Sequence, residues 1–281
     1  MTAIQPINIS ALMEKYGLRP DKSLGQNFLR DASALQRIVE VADLDPGDTV
    51  LEIGAGVGHL TRWLAAAAGQ VVAVEVDERL LPPLKEVLRP HDNIRIIQGD
   101  ILQLRPRELI SQDSYLVVAN IPYYITSAII RHLLEAELKP RRMILTVQYE
   151  VAQRICATAG QLSVLALSVL VYGEPYLTAR IPAAAFHPPP EVDSAVIRID
   201  LYPQPLLPNP LRDHYFTLVK AGFLHKRKTL RNSLAAGLGW PKERVDELLA
   251  GTEIEPRRRA QSLSLARWLE LARQYDKISE I

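Results

Sequence analysis

The sequence predicts an α/β protein with a Rossmann-like, mostly parallel sheet, followed by a small domain made only of helices. Three observations support this prediction. Short apolar runs alternate with longer amphipathic runs from residue 49 onward, which is the pattern of an α/β fold. A glycine-rich turn directly follows the first apolar run. Beyond a proline-dense segment at residues 203–210, only helical patterns continue.

The predicted strands are short apolar runs rich in β-branched residues. They are expected at residues 49–53, 70–75, 93–98, 115–119, 143–148, 176–181 and 195–201. Because the last two lie close together in sequence, we expect one of them to run antiparallel to its neighbour. A sheet of this kind binds ligands at the carboxyl ends of its parallel strands.

The predicted helices alternate with these strands and then fill the C-terminal part of the chain. They are expected at residues 60–68, 127–136, 162–171, 211–222, 227–236, 242–250 and 264–276, and a further helix follows the strand at 70–75 and ends at residue 88. Thr126 or Ser127 is the expected N-cap of the helix at 127–136. The proline-dense segment is the expected domain boundary. It separates a catalytic-type α/β domain of residues 1–204 from a helical domain of residues 205–281.

Composition narrows the class of protein. The chain has 281 residues, 48% of them apolar, and a single cysteine, Cys156, so a disulfide framework is excluded and a reducing cytoplasm is expected. No apolar run approaches the ~20 residues of a membrane span, and the first residues lack a signal-peptide pattern. The six histidines are scattered and Cys156 has no partner, so no metal site is expected.

Positive charge is concentrated near the C-terminus, although the net charge is only +1. No acidic residue occurs between His214 and Lys242. The basic residues of this stretch include Lys226, Arg227, Lys228 and Arg231, and a second cluster follows at residues 257–259. Two such clusters on a small domain predict contacts to phosphate, as in nucleic-acid binding. A solvated helix face is the alternative interpretation.

Gly54, Gly56 and Gly58 lie between the first predicted strand and the next helix. Glycines at such a turn let the backbone approach a ligand closely. The spacing is Gly-x-Gly-x-Gly, whereas dinucleotide-binding proteins use Gly-x-Gly-x-x-Gly. Glu75 ends the next strand about 20 residues later, where a carboxylate commonly binds ribose hydroxyls. We therefore expect Glu75→Ala to weaken ligand binding without changing the fold.

Polar residues also follow the third and fourth predicted strands. Asp100 could accept a hydrogen bond from an adenine amine, and Ile101 offers an apolar surface to the ring, although an Asp in this position is also a common turn residue. In Asn120-Ile121-Pro122-Tyr123, the Asn oxygen can accept from an exocyclic amine while the Tyr ring stacks on the base. Ordinary turn formation is again the alternative. Their convergence on one sheet edge predicts a nucleoside-type ligand.

Together these segments resemble the class I S-adenosylmethionine-dependent methyltransferases, and more narrowly the rRNA adenine N6-methyltransferases. The resemblance covers about residues 22–233. The matching segments are residues 22–29 (Lys-Ser-Leu-Gly-Gln-Asn-Phe-Leu), the Gly54 loop, Glu75, residues 99–100, residues 120–123 and residues 186–195 (Phe-His-Pro-Pro-Pro-Glu-Val-Asp-Ser-Ala). Residues 25–29 are interpreted either as core with Asn27 as a helix cap, or as a flap over the cofactor pocket.

Two branches of this superfamily compete, the KsgA-type small-subunit enzymes and the Erm-type large-subunit enzymes. Residues 226–234 and 190–196 resemble the KsgA-type branch, the small-subunit rRNA adenine N6,N6-dimethyltransferases. The chain departs from the family pattern at Tyr124, where Asn is usual, and at Tyr149, where Lys is common. These departures concern substrate geometry rather than the reaction, because the Asn-x-Pro-Tyr core is unchanged.

The resemblance implies roles for individual residues. S-Adenosylmethionine would contact Asn27, Leu29, Gly54, Gly56, Glu75, Asp100, Ile101 and Asn120. The catalytic set would be Asn120, Pro122, Tyr123 and Phe186, with the two aromatic rings holding a flipped adenine, and RNA would contact Lys226, Arg227, Lys228 and Arg231. The implied enzyme is a cytoplasmic monomer without metal. It would dimethylate two adjacent adenosines in a hairpin loop near the 3′ end of 16S rRNA, on the small ribosomal subunit or its precursor during biogenesis.

Two functions of other classes remain as rivals. An NAD-dependent oxidoreductase is disfavoured by the glycine spacing and by the lack of a Tyr-x-x-x-Lys or His arrangement. A non-catalytic RNA-binding or transcription factor with a methyltransferase fold is disfavoured by the intact Asn120 and Tyr123. A second role in ribosome assembly is compatible with the sequence.

Overall fold

The structure is a computed structural model that describes residue 4, residues 6–225 and residues 227–279. The chain divides into two compact units, one of Met1–Ala152 with Pro175–Leu201 and one of Gln153–Glu174 with Tyr202–Ile281. The passage into the second unit at Tyr202 lies close to the predicted boundary. The sequence did not indicate that Gln153–Glu174 belongs with the C-terminal helices.

Nine strands are described. They are β1 (Phe28–Leu29), β2 (Thr49–Ile53), β3 (Gln70–Glu75), β4 (Ile94–Gln98), β5 (Leu116–Asn120), β6 (Arg142–Gln148), β7 (Gly173–Ile181), β8 (Phe186–His187) and β9 (Ser194–Leu201). Seven form one sheet in the order β4-β3-β2-β5-β6-β9-β7, and β1 pairs with β8. The first five strands in this order, β4, β3, β2, β5 and β6, are parallel, while β9 runs antiparallel to β6. The predicted fold class is therefore confirmed, as is the antiparallel strand.

The helices connect and follow these strands. They are α1 (Ile9–Lys15), α2 (Ala32–Ala42), α3 (His59–Ala67), α4 (Leu81–Leu88), α5 (Pro106–Leu109), α6 (Thr126–Glu135), α7 (Tyr149–Ile155), α8 (Val164–Leu170), α9 (Leu211–Gly222), α10 (Leu230–Leu238), α11 (Lys242–Ala250) and α12 (Leu265–Ser279). Short 3₁₀ turns lie at Glu78–Leu80, Tyr123–Ile125, Ala183–Ala185 and Ala260–Ser262. No helix of the described residues combines the length and apolarity needed to cross a membrane.

The core of the first unit lies between the sheet and its helices. Val50 of β2 and Val118 of β5 are fully buried, and they belong to one apolar cluster with Leu35 of α2, Leu64 of α3 and Leu84 of α4. Each such side chain contributes about 1.5–3 kcal/mol by its burial. This packing on the body of the sheet makes a rigid base for the loops at the carboxyl ends of the strands.

The second unit has its own core around two aromatic side chains. Trp268 of α12 is fully buried and stacks on Phe223 with 5.8 Å between ring centroids. Tyr215 of α9 is also fully buried, and its hydroxyl donates to the Leu167 carbonyl of α8 at 2.9 Å. Residues 153–174 are therefore part of this core, which explains why they group with the C-terminal helices.

Two local predictions were wrong. Thr126 is already inside α6, whose N-cap is Ile125, and the Thr126 hydroxyl donates to the Tyr123 carbonyl at 3.2 Å instead of accepting from the helix. Asn27 is not a helix cap, because it precedes β1 and the N-cap of α2 is Asp31. Both errors arise because a short polar side chain next to a turn has several possible partners.

Candidate active site

Strand register brings three of the predicted residues to one place on the sheet edge. Ile53, the last residue of β2, pairs with Val74 on one side and with Ala119 on the other. The next residue on each parallel strand is Gly54, Glu75 or Asn120. Since all three strands end at the same edge, these positions line up across three neighbouring strands.

The loop after β2 presents its backbone rather than side chains. Gly54 and Gly56 have φ angles of +76° and +58°, which residues with a Cβ rarely adopt. A Cβ on Gly56 would lie 3.0 Å from the Phe28 ring. A side chain at this position would therefore push the Phe28 ring of β1 away from the loop. Gly58 provides the last turn before α3.

Glu75 is buried and holds this loop in place. One carboxylate oxygen accepts from the Gly56 amide at 2.6 Å, and the other accepts from the Asp77 amide at 2.9 Å. Burial raises the pKa of Glu75, while the two amide donors act in the opposite direction. Glu75 is therefore a structural support of the loop as well as the predicted ribose ligand.

Glu52 is a second buried carboxyl of the site, and the sequence analysis assigned it no role. It lines the same cavity, is 1% exposed, and its Oε2 atom has no hydrogen-bond partner among the described residues. The pKa of Glu52 is raised to about 8, mainly by desolvation and to a smaller extent by the nearby Glu75 carboxylate, while the Thr61 side chain acts in the opposite direction. The signal in the sequence was a charged residue inside an otherwise apolar strand.

The cavity at this edge has an empty volume of about 790 Å³, part of which is open to solvent. Its lining comes from four segments of the chain, namely residues 24–29, residues 52–60, Glu75 to Leu80 and residues 120–123. Asn27, Leu29, Gly54, Gly56, Glu75, Asn120, Pro122 and Tyr123 of the predicted set all line it.

Asn120 and Tyr123 are each fixed by one hydrogen bond. The Asn120 Nδ2 atom donates to the Asn27 carbonyl at 3.0 Å, which leaves the Oδ1 atom as an acceptor. The Tyr123 hydroxyl bonds the Ser194 hydroxyl at 2.6 Å, and Ser194 is fully buried. Burial raises the pKa of Tyr123, so the phenol stays neutral. The two side chains together present an amide oxygen and an aromatic ring.

Three predicted site residues lie outside the cavity lining. Asp100 is exposed, and its Oδ1 accepts from the Leu102 amide at 3.0 Å in a local turn. Ile101 is 4% exposed. Phe186 is 1% exposed, packs in the apolar core of the first unit and pairs through its backbone with Leu29. Their predicted roles stay predictions, and stacking by Phe186 would require the β1–β8 pair to move.

The predicted RNA-binding residues differ in their surroundings. Lys226 lies outside the described residues. Arg227 and Lys228 are exposed. Arg231 instead forms a bidentate ion pair with Asp246 of α11, so its charge is already neutralised inside the helical unit. Among the described residues, no group of three or more His, Cys, Asp or Glu could hold a metal ion.

A parallel sheet with a glycine loop, buried carboxylates and an Asn-x-Pro-Tyr segment at its carboxyl edge defines a class I methyltransferase. Comparison with known proteins identifies the family. The model of the family described as ribosomal RNA adenine dimethylase matches residues 17–277. The chain belongs to this family of rRNA-modifying methyltransferases.

Individual relatives cover nearly the whole chain. "Ribosomal RNA small subunit methyltransferase A" of Dehalococcoides mccartyi (strain CBDB1) is 46% identical over 265 residues, covering 94% of this chain and 91% of the relative. The protein with the same description from Moorella thermoacetica is 41% identical over 274 residues, covering 94% and 95%.

Two solved structures share the fold. The 23S rRNA methyltransferase ErmE has a TM-score of 0.73 and 32% identity, covering 89% of this chain and all of its own. A dimethyladenosine transferase from Plasmodium falciparum has a TM-score of 0.78 and 24% identity, covering 90% and 98%.

Proposed function

We propose that this chain is a KsgA-type enzyme. It transfers methyl groups from S-adenosylmethionine to the N6 amines of two adjacent adenosines in a hairpin loop near the 3′ end of 16S rRNA. It acts as a monomer on the small ribosomal subunit or its precursor during biogenesis, which implies a cytoplasmic location. The observation that carries the proposal is the orientation of the Asn120 amide. Its Nδ2 atom donates to the Asn27 carbonyl, and its Oδ1 atom has no hydrogen-bond donor among the described residues.

The residues of the cavity fit S-adenosylmethionine. The glycine loop leaves room for a ligand against the backbone, and Glu75 lies where a ribose would be bound. The unpartnered Glu52 oxygen favours a ligand with a positive charge or an N–H donor. When bound, S-adenosylmethionine supplies an electrophilic methyl group on a sulfonium sulfur.

The residues of the Asn-x-Pro-Tyr segment then act on the adenine. The N6 lone pair is delocalised into the ring, which makes the nitrogen a poor nucleophile. Hydrogen bonds from its two N–H groups to Asn120 Oδ1 and to a backbone carbonyl favour a pyramidal nitrogen with a localised lone pair. The Pro122 carbonyl already accepts a hydrogen bond from the Ile125 amide at 3.3 Å. We therefore assign the role of second acceptor to the Ile121 carbonyl. Most of the rate enhancement comes from holding the reacting atoms in line.

The small-subunit branch is favoured over the large-subunit branch by sequence similarity. The relatives described as small subunit methyltransferases are 46% and 41% identical to this chain, whereas the large-subunit enzyme ErmE is 32% identical. Residues 226–234 and 190–196 support the same branch. Membership in the ribosomal RNA adenine dimethylase family also argues against an NAD-dependent oxidoreductase.

The proposal is tested by incubating the protein with labelled S-adenosylmethionine and either small-subunit precursor particles or large-subunit RNA. We expect N6,N6-dimethyladenosine at two adjacent positions near the 3′ end of the small-subunit rRNA. Label found only in large-subunit RNA would overturn the choice of branch. Cofactor binding without label in either RNA would favour the non-catalytic RNA-binding factor.

Asn120→Ala is expected to abolish transfer with little loss of RNA affinity. Its turnover number should fall by about 10² or more, as for the loss of other preorganised hydrogen-bonding groups in active sites. Single-turnover kinetics measures the methyl-transfer rate, and filter binding measures RNA affinity. Asn93, whose amide donates to the Ala65 and Ala68 carbonyls away from the site, provides the control variant Asn93→Ala. Near-normal turnover of Asn120→Ala would exclude the proposed activation of the amine.

A further inference from the structure

Tyr149, a departure from the family pattern, has a specific partner in this chain. It begins α7 directly after β6, and the Arg180 guanidinium lies over its ring, 4.7 Å from the centroid. Arg180 lies near the end of β7 and its side chain is 61% exposed. The guanidinium therefore lies over the Tyr149 ring at the surface, and more than half of the Arg180 side chain stays exposed.

Asp193 fixes the plane of this guanidinium. Its Oδ2 atom accepts from Arg180 Nε at 2.9 Å and lies 2.7 Å from Nη2. Its Oδ1 atom accepts from the Ala183 amide at 3.0 Å. These donors lower the pKa of Asp193, the backbone amide of Ala183 most strongly, so the carboxylate stays ionised. The pair is held in one orientation and is neutral overall.

The Arg180–Tyr149 pair is linked to the aromatic wall of the active site through the consecutive residues Asp193 and Ser194. The Tyr149 amide donates to the Asp193 carbonyl at 2.9 Å. The next residue, Ser194, pairs with Gln148 of β6 and bonds the Tyr123 hydroxyl at 2.6 Å. The residue that orients Arg180 is thus adjacent in sequence to the residue that orients Tyr123, at the same edge of the sheet.

We propose that Tyr149, Arg180 and Asp193 form a stacking platform for the nucleobase next to the target adenosine. The inference rests on the proposed function. When an adenine leaves the stack, its neighbour loses a stacking partner, and the exposed guanidinium of Arg180 replaces it. Guanidinium planes and aromatic rings are common partners of unstacked RNA bases. The ion pair with Asp193 disfavours a phosphate as the ligand, because it cancels the charge that would attract one.

Substitution of Arg180 distinguishes the two ligands. A base contact needs the planar guanidinium, whereas a phosphate contact needs only the positive charge. We expect Arg180→Ala and Arg180→Lys to lower kcat/KM for small-subunit precursor particles by about 10-fold each, the size of one stacking contact. Tyr149→Leu should have a similar effect, and the double variant Tyr149→Leu/Arg180→Ala should lose little more than either single variant.

The control is Arg107→Ala, which removes another exposed arginine paired with an aspartate. Arg107 pairs with Asp113 at 3.0 Å, before the start of β5 and so at the opposite edge of the sheet. S-Adenosylhomocysteine affinity and melting temperature should stay unchanged in all these variants. Normal activity of Arg180→Lys would overturn the base platform in favour of a phosphate contact, and normal activity of Arg180→Ala would overturn any RNA contact. Failure of the wild-type protein to methylate the particles would instead contradict the proposed function.

Discussion

Glu75 shows how a single residue serves both the fold and the ligand. Both of its oxygens accept backbone N–H groups, one of them from the glycine loop. The sequence alone led us to expect that Glu75→Ala leaves the fold unchanged, but the structure predicts that this variant also leaves the Gly56 amide without its partner. An unsatisfied buried donor is costly. The side chain therefore cannot be removed without loosening the loop.

Glu75→Ala is expected to weaken S-adenosylmethionine binding by ~1.5–3 kcal/mol, the usual contribution of a charge-assisted hydrogen bond. Its melting temperature should also fall. Calorimetric titration and thermal unfolding measure the two effects. Glu86→Ala is a suitable control, because Glu86 is an exposed carboxylate bound to Lys15. If the dissociation constant of the cofactor stayed the same, Glu75 would not be a site residue.

Glu52 predicts a pH dependence of stability that a surface carboxylate would not produce. Its pKa lies at about 8 in the folded protein, against an ordinary value of 4.5. Between these pH values the folded state holds a proton that the unfolded chain has released, so stability falls as the pH rises. The slope is at most ~1.4 kcal/mol per pH unit. Glu52→Gln removes this pH dependence.

Urea unfolding of the wild-type protein and Glu52→Gln from pH 5 to pH 10 tests this prediction. The wild type should lose stability relative to the variant with each step upward, and the difference should level off above the folded pKa. Glu86→Gln, at an exposed position, should follow the wild-type curve. Parallel curves for the wild type and Glu52→Gln would show that Glu52 is ionised in the folded protein.

The glycine loop and β1 depend on each other. Gly56 has a positive φ angle, and its missing Cβ leaves room for the Phe28 ring. Gly17 also has a positive φ angle, of +64°, but has no atom within 4 Å of a built Cβ. Gly47 has neither constraint. The three glycines therefore separate the cost of backbone conformation from the cost of contact with β1.

Gly56→Ala is expected to lower both the melting temperature and the cofactor affinity. Gly17→Ala should lower only the melting temperature, because a left-handed backbone costs ~1 kcal/mol of unfolding free energy for a residue with a Cβ. Gly47→Ala should change neither. Thermal unfolding and calorimetric titration of the three variants provide the comparison. Equal effects of Gly56→Ala and Gly17→Ala would mean that the approach of Phe28 to the loop is unimportant.

The central strands could be predicted because burial on both faces leaves an apolar run that ends at a polar residue. The predicted bounds of β2 and β3 agree with the structure, and Glu75 and Asn120 follow from where their strands end. The two-residue strands β1 and β8 have no periodicity to detect, so the burial of Phe186 could not be predicted. Helix α7 was missed because it begins directly after β6, without an intervening turn signal.

The division of the chain into two units is not continuous in sequence. The chain enters the second unit at Gln153, leaves it after Glu174 and returns at Tyr202. A proline-dense segment marks only the last of these passages. The other two fall within α7 and β7, where hydrogen bonding continues and composition does not change. Tertiary packing around Tyr215 and Trp268 decides the assignment, and such packing is not visible in a sequence pattern.

The helical unit brings its two basic clusters together. The Leu230 amide donates to the Arg258 carbonyl at 2.6 Å, and the Arg231 amide donates to the Pro256 carbonyl at 3.4 Å. The exposed residues Arg227 and Lys228 thus lie next to residues 257–259, which are also exposed. Five positive charges on adjacent segments form one surface, which we call the basic surface, consisting of Arg227, Lys228 and Arg257 to Arg259.

Reversing two charges of the basic surface should weaken RNA binding without affecting the cofactor. A pocket that accepts one adenine cannot select a site among many, so selection requires contacts with the RNA backbone and shape. For Arg227→Glu/Lys228→Glu we expect lower affinity for small-subunit particles and a salt dependence whose slope decreases by roughly one to two. Binding measured between low and high salt gives the slope, and calorimetry gives the affinity for S-adenosylhomocysteine.

The matched control is Arg273→Glu/Lys277→Glu, which reverses two exposed charges of α12 in the same unit. Arg231 is excluded from the comparison because it pairs with Asp246, and its reversal would disturb the packing of α10 on α11. Because counterion release depends on phosphate contacts and not on net charge alone, only the variant of the basic surface should change the slope. Equal slopes for both double variants would show that net charge, and not this surface, governs RNA binding.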